Sequence, residues 1–472
     1  MIRTRSSLRR IARCLLDTPG RVLASVLLCL AIPAYGGEIS PCDDPIILPG
    51  PEVNVVVLPY VTGTTDKPEL VESGSHLSGL IQTNVLLSIL KYGKVGSIRL
   101  VGSPDKCNHD RVLSEIVDRY GNNSILANRG LVMVWGRIYE DKNDLFVQSY
   151  VLFRRLAHYD VGETFQFPII LSGGPQMLTA RLSGQSFAMA PRHLTLQELE
   201  EISTVFQSSK IVHTDANDQS PGEPFQIGAK GAWFSVEESR GEWIRIVASH
   251  RDNGSRFQQE GWLHAGASLG STSLNQKLPE LDFVEGIVGY LAYSVNRRPS
   301  YAVSAEAVLQ RYEGQPDSRK SAEADAVAKQ LRGWLLTINK GAETSVEDFS
   351  KVRDLFAQAA ETLSYSAEAK NLDASANAYS TFRNSKKEIA LDEIAEGFWS
   401  AASLDPKNEH VLANLWSLYK AALDPVYSNR LVGQKINAET IRRDQQALQA
   451  VRIDGKVPAL EGNTPAIYIA PK

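Results

Sequence analysis

The chain has 472 residues, 43% of them hydrophobic and 22% charged, values that exclude a collagen-like repeat, a wholly disordered chain and a polytopic membrane protein. At the usual roughly 100 to 200 residues per domain, about three independently cored units are expected. The formal net charge is -4, but Arg3, Arg5, Arg9, Arg10, Arg13 and Arg21 stand against one acid, Asp17, in the first 36 residues, so the remaining 44 basic and 53 acidic side chains carry -9. A body this acidic repels phosphate backbones and anionic lipid unless a local patch reverses the sign, and nucleic-acid binding is not expected.

Behind the basic stretch, Val22–Ala34 is a run of thirteen uncharged residues, and small side chains occupy positions 34 and 36. The order basic, apolar, small is that of a secretory signal, with cleavage expected at Gly36. Thirteen helical residues reach about 20 Å, short of the roughly 30 Å hydrocarbon core, so an uncleaved anchor is the weaker alternative. Cys14 and Cys29 leave with the signal. Cys42 and Cys107 remain, an even pair in an oxidising compartment, and a disulfide between them is expected, with two free thiols as the alternative. No Cys-x-x-Cys spacing exists, which removes a thioredoxin-like redox pair and a zinc knuckle.

Residues 51–156 read as an α/β unit. Val53–Pro59 is a near-continuous apolar run, the pattern of a strand buried on both faces. Leu77, Ile81 and Val85 recur at four-residue steps in a helix expected over 69–91, and Val112, Ile116 and Tyr120 do the same over 110–120. Leu131–Ile138 and Leu145–Phe153 are strands joined by a polar turn over 140–144. The run Val55–Tyr60, the amphipathic helix, Val132–Ile138 and the long strand after it resemble the small α/β domain at the start of the Tol-system propeller protein, which also occurs in the curli-secretion lipoprotein family. That resemblance implies a domain that recognises envelope partners; the propeller repeats of the first family are lacking here. Residues 157–212, with a helix expected over 195–207, read as a connector docked on this unit.

Phe225–Val247 and Gly261–Ala265 form short alternating strands punctuated by glycines, the pattern of a small, strongly bent barrel. Gly241–Ile246 followed by Gly261, Trp262 and Leu263 resembles the bacterial SH3-like domain. The opening at Ser220–Pro224 departs from that pattern, and Arg251–Gln259 reads as an enlarged loop. Pro279–Leu423 is helical and alanine-rich. Ala401, Leu404, Asp405 and Pro406 end one helix and Leu412, Leu415 and Tyr419 open the next, a spacing that resembles the tetratricopeptide repeat. An earlier pair, Phe283–Asn296 and Tyr301–Tyr312, carries Gly286, Gly289 and Ala292 for close helix approach; a plain helical bundle is the alternative. A further amphipathic helix is expected over 437–451, capped by Asn437, before an extended tail.

Chemistry is sparsely signalled. The eight histidines are far apart and fit no metal-ligand spacing, and phosphate-cradling glycine loops are absent, so neither metal nor cofactor is expected. Gly266–Gly270 matches the Gly-x-Ser-x-Gly elbow around Ser268, but no helix start stands beside that serine, and the segment reads as an interdomain hinge. Trp233, Trp262 and His264 are candidate partner-binding residues on the barrel, with Trp243 assigned to its core. Trp416 and Tyr419 are candidates on the helical surface. Asn122 and Asn253 begin glycosylation sequons, so a eukaryotic secreted origin stays open.

The fold class that follows is multidomain α+β: a signal peptide (1–36), an N-terminal α/β sandwich (37–156), a connector (157–212), a central SH3-like β-barrel (213–270), a C-terminal α-helical tetratricopeptide-like domain (279–425), and a C-terminal helix and tail (426–472). The function expected is that of a non-enzymatic periplasmic adaptor or scaffold binding proteins of the cell envelope, with membrane contact only through the signal segment. A cell-wall module gripping peptidoglycan stem peptides is the first alternative, and a serine hydrolase using Ser268 the remote one.

Overall fold

The computed structural model describes residues 37–432 except 49, 51, 63–76, 80, 83–84, 86–91, 93–94, 104–105, 124–125, 142–143, 157–163, 183–185, 196, 199–208, 227–232, 241–242, 253–254, 265–277, 318–319, 341–345 and 384–387. The expected signal with its cleavage point at Gly36, most of the helix expected over 195–207, Ser268, and the helix and tail beyond 432 lie outside the described residues. The chain is mixed α/β, with an N-terminal sheet region followed by C-terminal helices.

The first sheet is built from β1 (Gly37–Pro41), β2 (Val53–Thr62), β3 (Val95–Val101), β4 (Gly130–Asp141), β5 (Asp144–Arg155), β8 (Ser186–Ala188) and β9 (Arg192–Leu194). Its order is β1-β3-β2-β4-β5-β8, with β9 also on β5; the first four strands are parallel and β5 turns back antiparallel. Helix α1 (His109–Tyr120), capped by the Asn108 side chain, covers one face by laying Val112 and Ile116 on Val56, Leu58, Ile98, Leu100 and Met133. The disulfide expected between Cys42 and Cys107 is present beside it. Closing a loop of this length restricts the unfolded chain by about 4 kcal/mol in the entropy model.

The opposite face receives Leu77, Ile81 and Val85, which are helical, and helix α2 (Glu280–Asn296). This two-sided cover is why β2 reads as a near-continuous apolar run, broken only by the buried Asn54 between Val53 and Leu58. Helix α2 is itself buried nearly all round, because α3 (Pro299–Glu313) and α4 (Ala322–Lys340) cover what the sheet does not. Gly289 makes that approach possible: a Cβ there would lie 2.6 Å from the Tyr92 hydroxyl and 2.9 Å from the Ala305 methyl. The first residue of α2, Glu280, is also buried. It accepts a 2.6 Å hydrogen bond from Ser149 Oγ, and Ser149 in turn meets the Tyr60 hydroxyl at 2.8 Å.

Helices α5 (Val346–Thr362), α6 (Ala367–Arg383), α7 (Leu391–Leu404) and α8 (Glu409–Leu423) continue the array, each packed on the one before. The connector departs from expectation. Its strands β8 and β9 do join the first sheet, but the hairpin β6 (Thr164–Leu171) and β7 (Gly174–Arg181) packs on the helices. Phe165 stacks on Trp334 at 4.5 Å, and Phe167 meets Trp334, Phe356 and Tyr379 from three successive helices. The backbone of Thr179 is bound on both sides by Asn414: its N–H donates to Asn414 Oδ1 and its carbonyl accepts from Asn414 Nδ2, both at 2.7 Å. Asn371 Nδ2 donates to the same carbonyl at 3.0 Å. The alternation through Phe165, Phe167, Ile169 and Leu171 demands a cover on one face, and the helices supply it.

The third assembly is a five-stranded antiparallel sheet in the order β11-β10-β14-β13-β12, from β10 (Ser209–His213), β11 (Gly222–Gln226), β12 (Trp233–Arg240), β13 (Trp243–Asp252) and β14 (Ser255–His264). The stretch expected as an enlarged loop is instead a long hairpin, with His250 opposite Phe257 and Asp252 opposite Ser255. A backbone ladder needs no apolar side chains, so the polar composition of 248–260 conceals it. Strands β15 (Ile389–Ala390) and β16 (Leu431–Val432) pair beside the start of α7.

Two outcomes follow. Asn414→Ala leaves the Thr179 N–H without its partner and its carbonyl with Asn371 alone, and is expected to cost about 2 to 3 kcal/mol, measured as a shift in the denaturant midpoint at unchanged slope. Burial holds the Glu280 carboxyl above its ordinary range, so stability is full below the unfolded-state value near 4.3 and is lost as pH rises toward the folded-state value. In Glu280→Gln the change in melting temperature between pH 5 and pH 9 is expected to be smaller than in the parent, by differential scanning calorimetry.

Candidate partner-binding surfaces

In the five-stranded sheet, directly opposed residues share a face. Trp243 stands opposite His264, Arg245 opposite Trp262, and His213 opposite Trp262, so all of them lie on one side. Ile246, Leu263 and Val212 lie on the other and enter the main core. Trp243, expected in the core, is therefore only half buried, because two-residue alternation sorts side chains between faces without deciding which face turns inward.

On this side the Trp243 ring is bracketed edge-on by two imidazoles, His213 at 5.3 Å and His264 at 4.8 Å between centroids. The His213 Nδ1 meets the Ser220 carbonyl at 2.9 Å, which orients its ring. Trp262 is 5% exposed, under the guanidinium of Arg240 at 4.5 Å from its centroid, an arrangement that places a cation over the electron-rich face of the indole. Arg245 and Glu260 form an ion pair beside it. Ile211, 46% exposed, extends the surface toward the sheet edge.

The register depends on one glycine. A Cβ on Gly261 would lie 2.5 Å from the His213 carbonyl oxygen and 2.6 Å from Val212 Cγ1, so β14 can cross β10 only where no side chain intervenes. The glycine ahead of Trp262 is thus a packing requirement of this crossing. Trp233 lies on β12, and its side chain lies outside the described residues.

The helical candidates are not brought to this site. Tyr419 is buried on α8 and its hydroxyl accepts from Trp399 Nε1 at 3.0 Å, while Trp416 is half buried on the same helix. Where α6 and α8 face the hairpin, the chain itself is the occupant, held by Asn371 and Asn414. Residues missed by sequence reasoning are His213, Trp243 and Arg240. The signal that could have found Trp243 is the shared period through Trp243 and Arg245 on one strand and Trp262 and His264 on the next.

Among the described residues, no group of three or more His, Cys, Asp or Glu could hold a metal ion, and no helix is long and apolar enough to cross a membrane. Compared with family models, with curated proteins and with solved structures, the chain matches none. Gly261→Ala is expected to destabilise the chain by about 2 to 3 kcal/mol, since the added methyl meets backbone rather than a movable side chain; a urea unfolding curve measures it.

Proposed function

We propose that the chain is an exported, non-catalytic adaptor of the cell envelope, residing in the periplasm, that binds protein partners through its SH3-like module. The bracketed Trp243 carries this reading. A half-exposed indole held between two imidazoles, on a sheet whose other face is anchored in the core, offers a large rigid contact with polar edges, the chemistry that extended peptides dock against. The disulfide supports an oxidising destination, as does the signal-like order of the first 36 residues.

The helical region, tetratricopeptide-like in its paired helices, takes a different part in this reading. Its hairpin-facing groove holds β6 and β7, so it serves as a rigid mount for the sheet modules, and partner contact falls to the Trp243 face. Trp262, sealed under Arg240, shapes that face from beneath.

Chemical crosslinking in native envelopes followed by capture of the chain tests the proposal. The expected result is a discrete protein partner, lost by tenfold or more with Trp243→Ala while the melting temperature changes little. Recovery of the chain on purified sacculi, with the same dependence on Trp243, would reassign the surface to peptidoglycan stem peptides. Capture that is indifferent to Trp243 would sink the role given to this face.

A further inference from the structure

An acidic chain carries a concentrated basic pole. Five arginines from three separate segments lie around the end of the first sheet where β2, β3 and β4 begin, with Arg154 and Arg155 on opposite faces of β5: Arg129, Arg154, Arg155, Arg297 and Arg298. Arg155 lies opposite Gly130, the residue after Arg129, and Leu156 N–H donates to the Arg129 carbonyl at 3.0 Å. Arg155 Nη1 donates to the Asn128 carbonyl at 2.8 Å and its Nη2 to Ser294 Oγ at 2.6 Å, which ties the last turn of α2 to the same end. Arg154 Nε donates to the Arg155 carbonyl at 2.9 Å. Glu52 shares this pole, hydrogen-bonded by the Asn296 amide.

The helices that flank the turn from α2 into α3 each expose an apolar side chain near it in sequence. Val295 is 37% exposed and Val303 54%, on either side of Arg297 and Arg298. Arg297 lies 5.8 Å over the Tyr293 ring, and Arg298 donates to the Tyr301 hydroxyl at 3.2 Å. Arg297 itself is held at φ 56°, the left-handed region, where the end of a helix ordinarily takes glycine or asparagine.

We propose that this pole docks on an anionic phospholipid surface, with the guanidiniums meeting headgroup phosphates and Val295 and Val303 entering the interface between them. The mixture decides the ligand class. Clustered arginines attract any phosphate, but the exposed Val295 and Val303 gain free energy only where an apolar phase lies beneath the charges. A nucleic acid offers no such phase, and its long charge run would also meet the acidic remainder of the chain. This inference does not rest on the role given to Trp243.

The test is sedimentation of the purified chain with vesicles of mixed phosphatidylglycerol and phosphatidylcholine, against vesicles of phosphatidylcholine alone. Binding to the anionic vesicles is expected, and it should disappear at high salt. Each arginine removed should weaken partitioning about fivefold, so Arg297→Gln with Arg298→Gln lowers it about 25-fold. Val295→Ser with Val303→Ser keeps every charge and should also weaken it. Both pairs are exposed, and an unchanged melting temperature verifies the fold. Equal binding to neutral vesicles, or full binding by the arginine pair, would overturn the proposal. So would competition by inorganic phosphate, which would mark a free-phosphate site, or retention of single-stranded DNA with no retention of vesicles.

Discussion

A two-stranded hairpin standing alone is marginal in water, because it has one face of side chains to bury and two edges of backbone to satisfy. The pair β6 and β7 meets both demands in the helical array. Phe165 and Phe167 bury against Trp334, Phe356 and Tyr379, and Asn414 presents an amide to Thr179 much as a neighbouring strand would present its backbone. A side-chain amide carries a donor and an acceptor side by side in the geometry of a peptide unit, so it can return both. Buried at this depth, the arrangement selects a single register, since any slip strands polar groups where water cannot reach them.

That contact explains why the N-terminal sheet and the C-terminal helices are interlocked in sequence. The chain leaves the first sheet after β5, sends a hairpin into helices not yet made, returns for β8 and β9, and builds the five-stranded sheet. Helix α2 then closes the face of the sheet laid down first. Glu280 marks the junction, a carboxyl that burial favours in its neutral form, joined to Tyr60 through Ser149. Such a network tolerates little movement between the parts it joins. The arginine pole lies at the other end of α2 from Glu280, so this network holds the helix that carries Arg297 to the first sheet.

Much of the secondary structure could be read directly. The apolar run at Val53–Leu58, the helix through Val112 and Ile116, and the helix ending near Leu404 all follow from periodicity, which is a local property. The pairing of Cys42 with Cys107 followed from counting. The long hairpin through His250 and Phe257 escaped notice because its ladder is made by backbone, and polar side chains hide it. On the candidate surface, Trp262 and His264 drew attention as residue types, whereas His213 comes from a strand some fifty positions earlier and no spacing rule links it to Trp243.

The type of the apolar elements, the division into sheet-rich and helix-rich halves, and the cysteine bridge were decided by composition and short-range pattern. Which partner each apolar face would meet was not. Whether Trp243 or Trp262 turned outward depended on which side of the sheet found the core. Whether the helices kept an open groove depended on the hairpin that fills it, and five scattered arginines became one pole only when three strand and helix ends were brought together. Burial is settled by the whole surface competing for cover, and contacts between segments a hundred residues apart leave no periodic trace in either segment.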